Sequence, residues 1–139
     1  MIISICGSMK FYQEMRESKE KLEAIGHTVF LPKGIDEEIP VEARTDLSVD
    51  QVIAAKIEYD FIREHFRCIE KSDAILVLNY EKNGVANYIG GNTFLEMGHA
   101  FGGNKKIFLL NPIPTMDYDT EMHAMEPVIL NGDIKLIKN

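Results

Sequence analysis

The sequence predicts an α/β domain built on an open, mostly parallel sheet, and three observations lead there. Short β-branched runs alternate with longer stretches of helical spacing along the whole chain. The run Asp73-Ala74-Ile75-Leu76-Val77-Leu78-Asn79 is nearly continuous in apolar residues, the pattern of a central strand covered on both faces. No linker, repeat or low-complexity stretch divides the 139 residues, so residues 1–139 are expected to form a single domain.

Ile2-Ile3-Ser4-Ile5-Cys6 is short and β-branched and stops at Gly7-Ser8, which makes it the first strand. Phe11, Met15, Leu22 and Ile25 then fall near helical spacing, and Gly26 supplies a C-terminal stop, so Met9 to Ile25 is expected to be helical. Thr28-Val29-Phe30-Leu31, ended by Pro32, completes a right-handed βαβ unit. Lys33 to Leu47 has Gly34, Pro40 and several acids but no sustained period; a connection of that length suits either a lid or a passive loop. Ser48 with Gln51 three residues on is a capping-box pattern, opening one long helix through about Lys71. Tyr80 to Gly91 reads as a polar loop, Asn92 to about Phe101 as a short helix stopped by Gly102-Gly103, and Lys106 to Leu110 as a strand. Ile134-Lys135-Leu136-Ile137 is expected to be an edge strand guarded by its lysines.

Composition narrows the function. A formal charge of −7 disfavours a general binder of nucleic acid polymers or of anionic membranes, which need clustered cations, but leaves room for a small phosphorylated ligand. No apolar run approaches the roughly 18–20 residues that span a bilayer, and the first residues lack a signal-peptide pattern. With Cys6 and Cys68 far apart and no CxxC, reduced cysteines in a cytoplasmic protein are the expectation.

In sheets of this class ligands bind beyond the carboxyl ends of the strands. Three segments should leave those ends: Cys6-Gly7-Ser8-Met9, the loop from Asn79 to Asn92, and Asn111-Pro112. Gly7-Ser8, between a strand and a helix start, suits a phosphate, or else is a tight turn with Ser8 as N-cap. Gly90-Gly91-Asn92 lets backbone approach a ligand, and the following helix should carry Glu96 in its first turn, where a carboxylate stays ionised and could attack an anomeric carbon. Thr93-x-x-Glu96 is equally a capping-box pattern. Glu96 and His99, three apart, could contribute to a metal site, but no further ligands accompany them and no metal is expected. His65, on the helix before the central strand, is a surface, interfacial or acid–base residue.

Taken together, Ile5-Cys6-Gly7-Ser8-Met9, Ser72-Asp73-Ala74-Ile75-Leu76-Val77 and Phe94-Leu95-Glu96-Met97-Gly98-His99-Ala100 before Lys105-Lys106-Ile107-Phe108 resemble the nucleoside 2-deoxyribosyltransferase superfamily, and in style its 2′-deoxynucleoside 5′-phosphate N-hydrolases. The resemblance runs in order through most of residues 1–110. It implies a flavodoxin-like sheet of about five strands with helices on both faces, and a homodimer or higher homo-oligomer. It places the nucleophilic glutamate on Glu96 and phosphate-holding residues on Gly7 and Ser8. Where such proteins usually carry an aspartate before the central strand, counting back from Ser72-Asp73 gives His65; their first-strand tyrosine is replaced by Ser4-Ile5, and the loop from Asn79 to Asn92 is longer.

The expected function is cleavage or exchange of the N-glycosidic bond of a nucleoside 5′-monophosphate, with a 2′-deoxy sugar favoured. Glu96 and His65 are the candidate catalytic residues, and Cys6, Gly7, Ser8, Met9, Asn79, Gly90, Gly91 and Asn92 the candidate substrate-binding ones. Neither metal nor organic cofactor is required by this chemistry. The alternatives are a nucleotide-binding module or sensor without turnover, and a glycohydrolase acting on NAD or a related ribonucleotide.

Overall fold

A computed structural model describes residues 1–35 and 38–139. Five parallel strands form one sheet: β1 (Ile2–Cys6), β2 (Thr28–Phe30), β3 (Ala74–Val77), β4 (Lys106–Leu109) and β5 (Val128–Ile129), in the order β2-β1-β3-β4-β5. Five α-helices accompany them: α1 (Tyr12–Ala24), α2 (Val49–Glu58), α3 (Phe61–Glu70), α4 (Gly91–Gly102) and α5 (Asp119–Ala124). The order reverses direction between β1 and β3, whose register pairs Ile3 with Ala74 and Cys6 with Val77. That reversal opens a crevice at the carboxyl ends of β1 and β3, the usual ligand position of doubly wound sheets.

Alternation along the strands builds two cores. Ile3 and Ile5 of β1, Ala74 and Leu76 of β3, and Phe108 of β4 face one side, where Met15 and Leu22 of α1 cover them. Ile75 and Val77 of β3 and Ile107 and Leu109 of β4 face the other, against Ile69 of α3, Met97 and Ala100 of α4 and Met122 of α5. This period of two explains why β3 reads as unbroken apolar sequence. It also turns Ser4 and Cys6 toward the α3–α4 side, where Ser4 Oγ lies 2.7 Å from Ser72 Oγ.

Three sequence expectations are corrected. The long helix to Lys71 is two helices, because Asp60 adopts a left-handed conformation (φ 52°) and redirects the chain between α2 and α3. The Ser48/Gln51 capping box at its start does form, with both reciprocal hydrogen bonds in place. The edge strand is Val128–Ile129 rather than Ile134–Ile137; Ile134–Leu136 makes a single 3₁₀ turn, started by the Asp133 carboxylate accepting from Lys135 N–H, and packs on the α1 side. The helix expected from Met9 likewise begins as a 3₁₀ turn, Met9–Phe11, before α1 proper. Among the described residues no helix is long and apolar enough to cross a membrane.

Candidate active site

The crevice at the carboxyl ends of β1 and β3 is lined by Gly7, Ser8, Met9, Glu42, Lys56, Lys82, Tyr88, Gly90, Gly91, Asn92 and Thr93. Six of these, Gly7, Ser8, Met9, Gly90, Gly91 and Asn92, are residues that the sequence singles out. Gly7 sits where no side chain fits: its φ is +153°, and a Cβ there would stand 3.0 Å from the Leu78 carbonyl oxygen. The strand thus turns sharply and presents Ser8, which caps the following turn weakly, with Lys10 N–H donating to Oγ over 3.4 Å.

Lys82 is the first residue that the sequence reading missed. Its ammonium donates to Ser8 Oγ at 3.1 Å and lies 4.8 Å from the centre of the Tyr88 ring. A tight hairpin holds it there: Lys82 and Val85 exchange backbone hydrogen bonds around Asn83-Gly84, both with positive φ (52° and 79°). Asn-Gly is the strongest short-range signal for such a turn. Partial burial and the neighbouring ammonium groups of Lys10 and Lys56 lower the Lys82 pKa from its ordinary value. Lys56 reaches the crevice from α2 and pairs with Glu42 at 3.1 Å. Glu42 thus compensates Lys56, whereas no carboxylate lies within ion-pair distance of Lys82 among the described residues.

Glu96 lies under this crevice. It is 4% exposed and stands one helical turn behind Thr93, which lines the wall. The sequence expectation of a first-turn, ionised carboxylate is overturned: α4 starts at Gly91 with Gly90 as N-cap and no side-chain cap, so Glu96 is in the second turn. The Thr93-x-x-Glu96 capping box does not form for the same reason. Burial and the Glu42 carboxylate raise the Glu96 pKa to about 8, partly opposed by Lys56. Glu96 is therefore protonated at neutral pH.

Its neighbour is His65, buried in α3, whose Nε2 is 3.4 Å from Glu96 Oε2, 2.9 Å from the Ile5 carbonyl and 3.5 Å from Cys6 Sγ. Burial lowers the His65 pKa to about 4, so the imidazole is neutral and its Nε2–H donates to Ile5 O. Burial favours the neutral carboxyl–imidazole form of the two groups over the ion pair.

The other expected site residues divide. Cys6 is fully buried, its thiol pushed well above the usual range by burial and by Glu96, so it backs His65 instead of touching the crevice. Asn79 does not line the crevice: its amide donates to the carbonyls of Asn111 and Pro112 and its carbonyl accepts from Asn111 N–H. Asn111-Pro112 is thereby tied to the third strand end without lining the crevice. His99 stacks on Phe66 and reaches Glu70 at 3.1 Å, so no Glu96–His99 metal pair forms. Part of the candidate lid, Asp36 and Glu37, lies outside the described residues; the rest contains a 3₁₀ turn, Val41–Ala43, that delivers Glu42 to the crevice.

No protein-family model and no curated protein matches the chain. Among solved structures, it is similar to a 2-deoxyribosyltransferase from Bacillus psychrosaccharolyticus at 14% identity, TM-score 0.57, covering 98% of this chain and 95% of that one. It is also similar to a CMP N-glycosidase from Clostridium botulinum at 14% identity, TM-score 0.51, covering 93% of this chain and 85% of that one. At that identity the likeness is one of fold: the chain shares the single-domain, flavodoxin-like parallel sheet of these two structures.

Proposed function

We propose that this chain breaks the N-glycosidic bond of a nucleoside 5′-monophosphate, with a 2′-deoxy sugar favoured, and passes the glycosyl group to water or to another base. The observation that carries the reading is a buried carboxyl, Glu96, paired with a neutral imidazole beneath a crevice whose rim gathers Ser8, Lys56 and Lys82. The rim suits a phosphate monoester: a lysine ammonium and a hydroxyl already in contact, with the N-terminal backbone of α4 opposite, uncapped by any side chain. The sugar then lies over Thr93 and Glu96.

Catalysis begins as the Glu96 carboxyl proton passes through water in the crevice toward the departing base, while His65, its Nε2–H held by Ile5 O, backs the carboxyl. The freed carboxylate oxygen bonds to C1′ as the C1′–N bond breaks, and that proton ends on the departing base. Water or a second base then attacks C1′, and Glu96 leaves as carboxylate and recovers the proton that the attacking group sheds, a two-step retaining course. The desolvation that keeps Glu96 neutral at rest also strengthens its interaction with a cationic sugar once it ionises. A binding module without turnover is the second reading, favoured by the protonated state of Glu96 in the free protein. Exposed Ile53, Ile57 and Ile62 on α2 and α3 support the expectation of a homo-oligomer.

The test is incubation with a panel of deoxy- and ribonucleoside monophosphates, nucleosides and NAD, with free base followed by chromatography. Release from deoxynucleoside monophosphates ahead of the others supports the proposal; tight binding with no release supports the binding module.

A further inference from the structure

We infer that Cys6, His65 and Glu96 together form a binding site for a thiophilic divalent cation of the zinc class. Each comes from a different element (the end of β1, the middle of α3, the second turn of α4), and each offers one ligand atom within 4.8 Å of the others. Cys6 Sγ to His65 Nε2 is 3.5 Å and His65 Nε2 to Glu96 Oε2 is 3.4 Å. A tetrahedral zinc, with bonds of about 2.3 Å to sulfur and about 2.0–2.1 Å to nitrogen or oxygen, spaces its ligand atoms roughly 3.3–3.6 Å apart. Those two edges are already at the spacing that the ion requires.

The hydrogen bonding within the cluster is also incomplete. Ile5 O, Glu96 Oε2 and Cys6 Sγ converge on one ring nitrogen whose single hydrogen serves only Ile5 O, while Nδ1 is buried with no partner among the described residues. A cation among the three satisfies the thiolate, the carboxylate and Nε2 together. On binding, the Cys6 thiol proton and the Glu96 carboxyl proton pass to solvent, and the imidazole proton moves from Nε2 to Nδ1. The set of thiolate, imidazole and carboxylate selects Zn²⁺ or Co²⁺ over Mg²⁺ and Ca²⁺, which prefer oxygen alone. Three protein ligands leave a fourth position for water. Binding costs the Nε2–H bond to Ile5 O and gives Nδ1–H no protein acceptor, so affinity falls below that of a closed structural zinc site. If the proposed reaction is right, the ion holds the oxygen that must attack C1′. Occupancy then shuts the enzyme off.

The experiment titrates Co²⁺ into the chelator-stripped full chain. Expected are one equivalent bound, strong visible bands of four-coordinate cobalt, a near-ultraviolet thiolate-to-cobalt band, and displacement of all of them by Zn²⁺. Cys6→Ser should lose the thiolate band; Cys68→Ser should keep it, which holds even if Cys6→Ser folds poorly. Glu96→Gln should weaken binding at least tenfold with an unchanged circular dichroism spectrum. A weak six-coordinate spectrum, or a thiolate band that vanishes in Cys68→Ser, overturns the site. Where turnover is seen, Zn²⁺ should abolish it and a chelator restore it. Cobalt binding with no turnover on any nucleotide supports the metal site and removes only the glycosidase reading.

Discussion

Replacing Glu96 by glutamine separates the charge of the side chain from its shape. In the fold the carboxyl keeps its proton up to about pH 8, against an ordinary value of 4.5. Between those values the folded chain binds more protons than the unfolded one, so this contribution is fully present below about pH 4.5 and is lost as pH rises toward 8. At about 1.4 kcal/mol per pH unit, holding the carboxyl neutral at pH 7 costs the native chain at most about 3 kcal/mol, and less if His65 shares the proton. Glutamine has no such cost. Urea unfolding of both proteins, with a chelator present, should therefore show the stability of Glu96→Gln relative to Glu96 rising by about 2–3 kcal/mol between pH 5 and pH 7. His65 is common to both chains and largely cancels in the difference. The same variant should lose orders of magnitude in base release while nucleotide binding persists, because only the attacking oxygen has gone. A gap that stays flat from pH 5 to pH 7 would mean that Glu96 is ionised in the fold, and full turnover by the variant would remove it as nucleophile.

Three further outcomes follow from the site. Ser8→Ala and Lys82→Met should each narrow the preference for a nucleoside monophosphate over its nucleoside in calorimetric titration; equal affinity for both ligands in the unmodified chain would remove the phosphate from the crevice. Asn79→Ala leaves the Asn111 N–H without its partner and should lower stability by about 1–3 kcal/mol in urea unfolding with ligand affinity unchanged; a loss of affinity with stability intact would return Asn79 to the binding residues. A saturating nucleotide should slow amide hydrogen exchange across residues 38–47 if that segment is a lid, since Glu42 already reaches the crevice wall; unchanged exchange would make it a passive loop.

What the sequence shows of this protein is what local pattern can carry. The apolar run of β3, the β-branched β1 and the Ser48/Gln51 box are each decided by residues near one another, and each forms. The break at Asp60 was hidden because no glycine or proline marks it, and the left-handed conformation there falls to an aspartate. The two-residue β5 is too short to show a period, whereas Ile134-Lys135-Leu136-Ile137 alternates well and still turns, because Asp133 caps it. Within the site, Gly7, Ser8 and Gly90-Gly91-Asn92 were legible from their place after strand ends. Lys56, Glu42 and Cys6's partnership with His65 were not: Cys6, His65 and Glu96 are separated by 59 and 31 residues and meet only when α3 and α4 pack on one face of the sheet. Lys82 does carry a local signal, the Asn83-Gly84 pair of the tight turn beside it.

The central claim is that Glu96 bonds to the sugar. Incubating the chain with a deoxynucleoside monophosphate slowed by 2-fluoro substitution, then digesting it and reading the peptides by mass spectrometry, tests this directly. The account predicts one added 2-fluoro-glycosyl phosphate on the peptide that carries Glu96, formed as base is released and absent in Glu96→Gln. Base released from the ordinary substrate with no adduct on Glu96, or an adduct on any other residue, would contradict it.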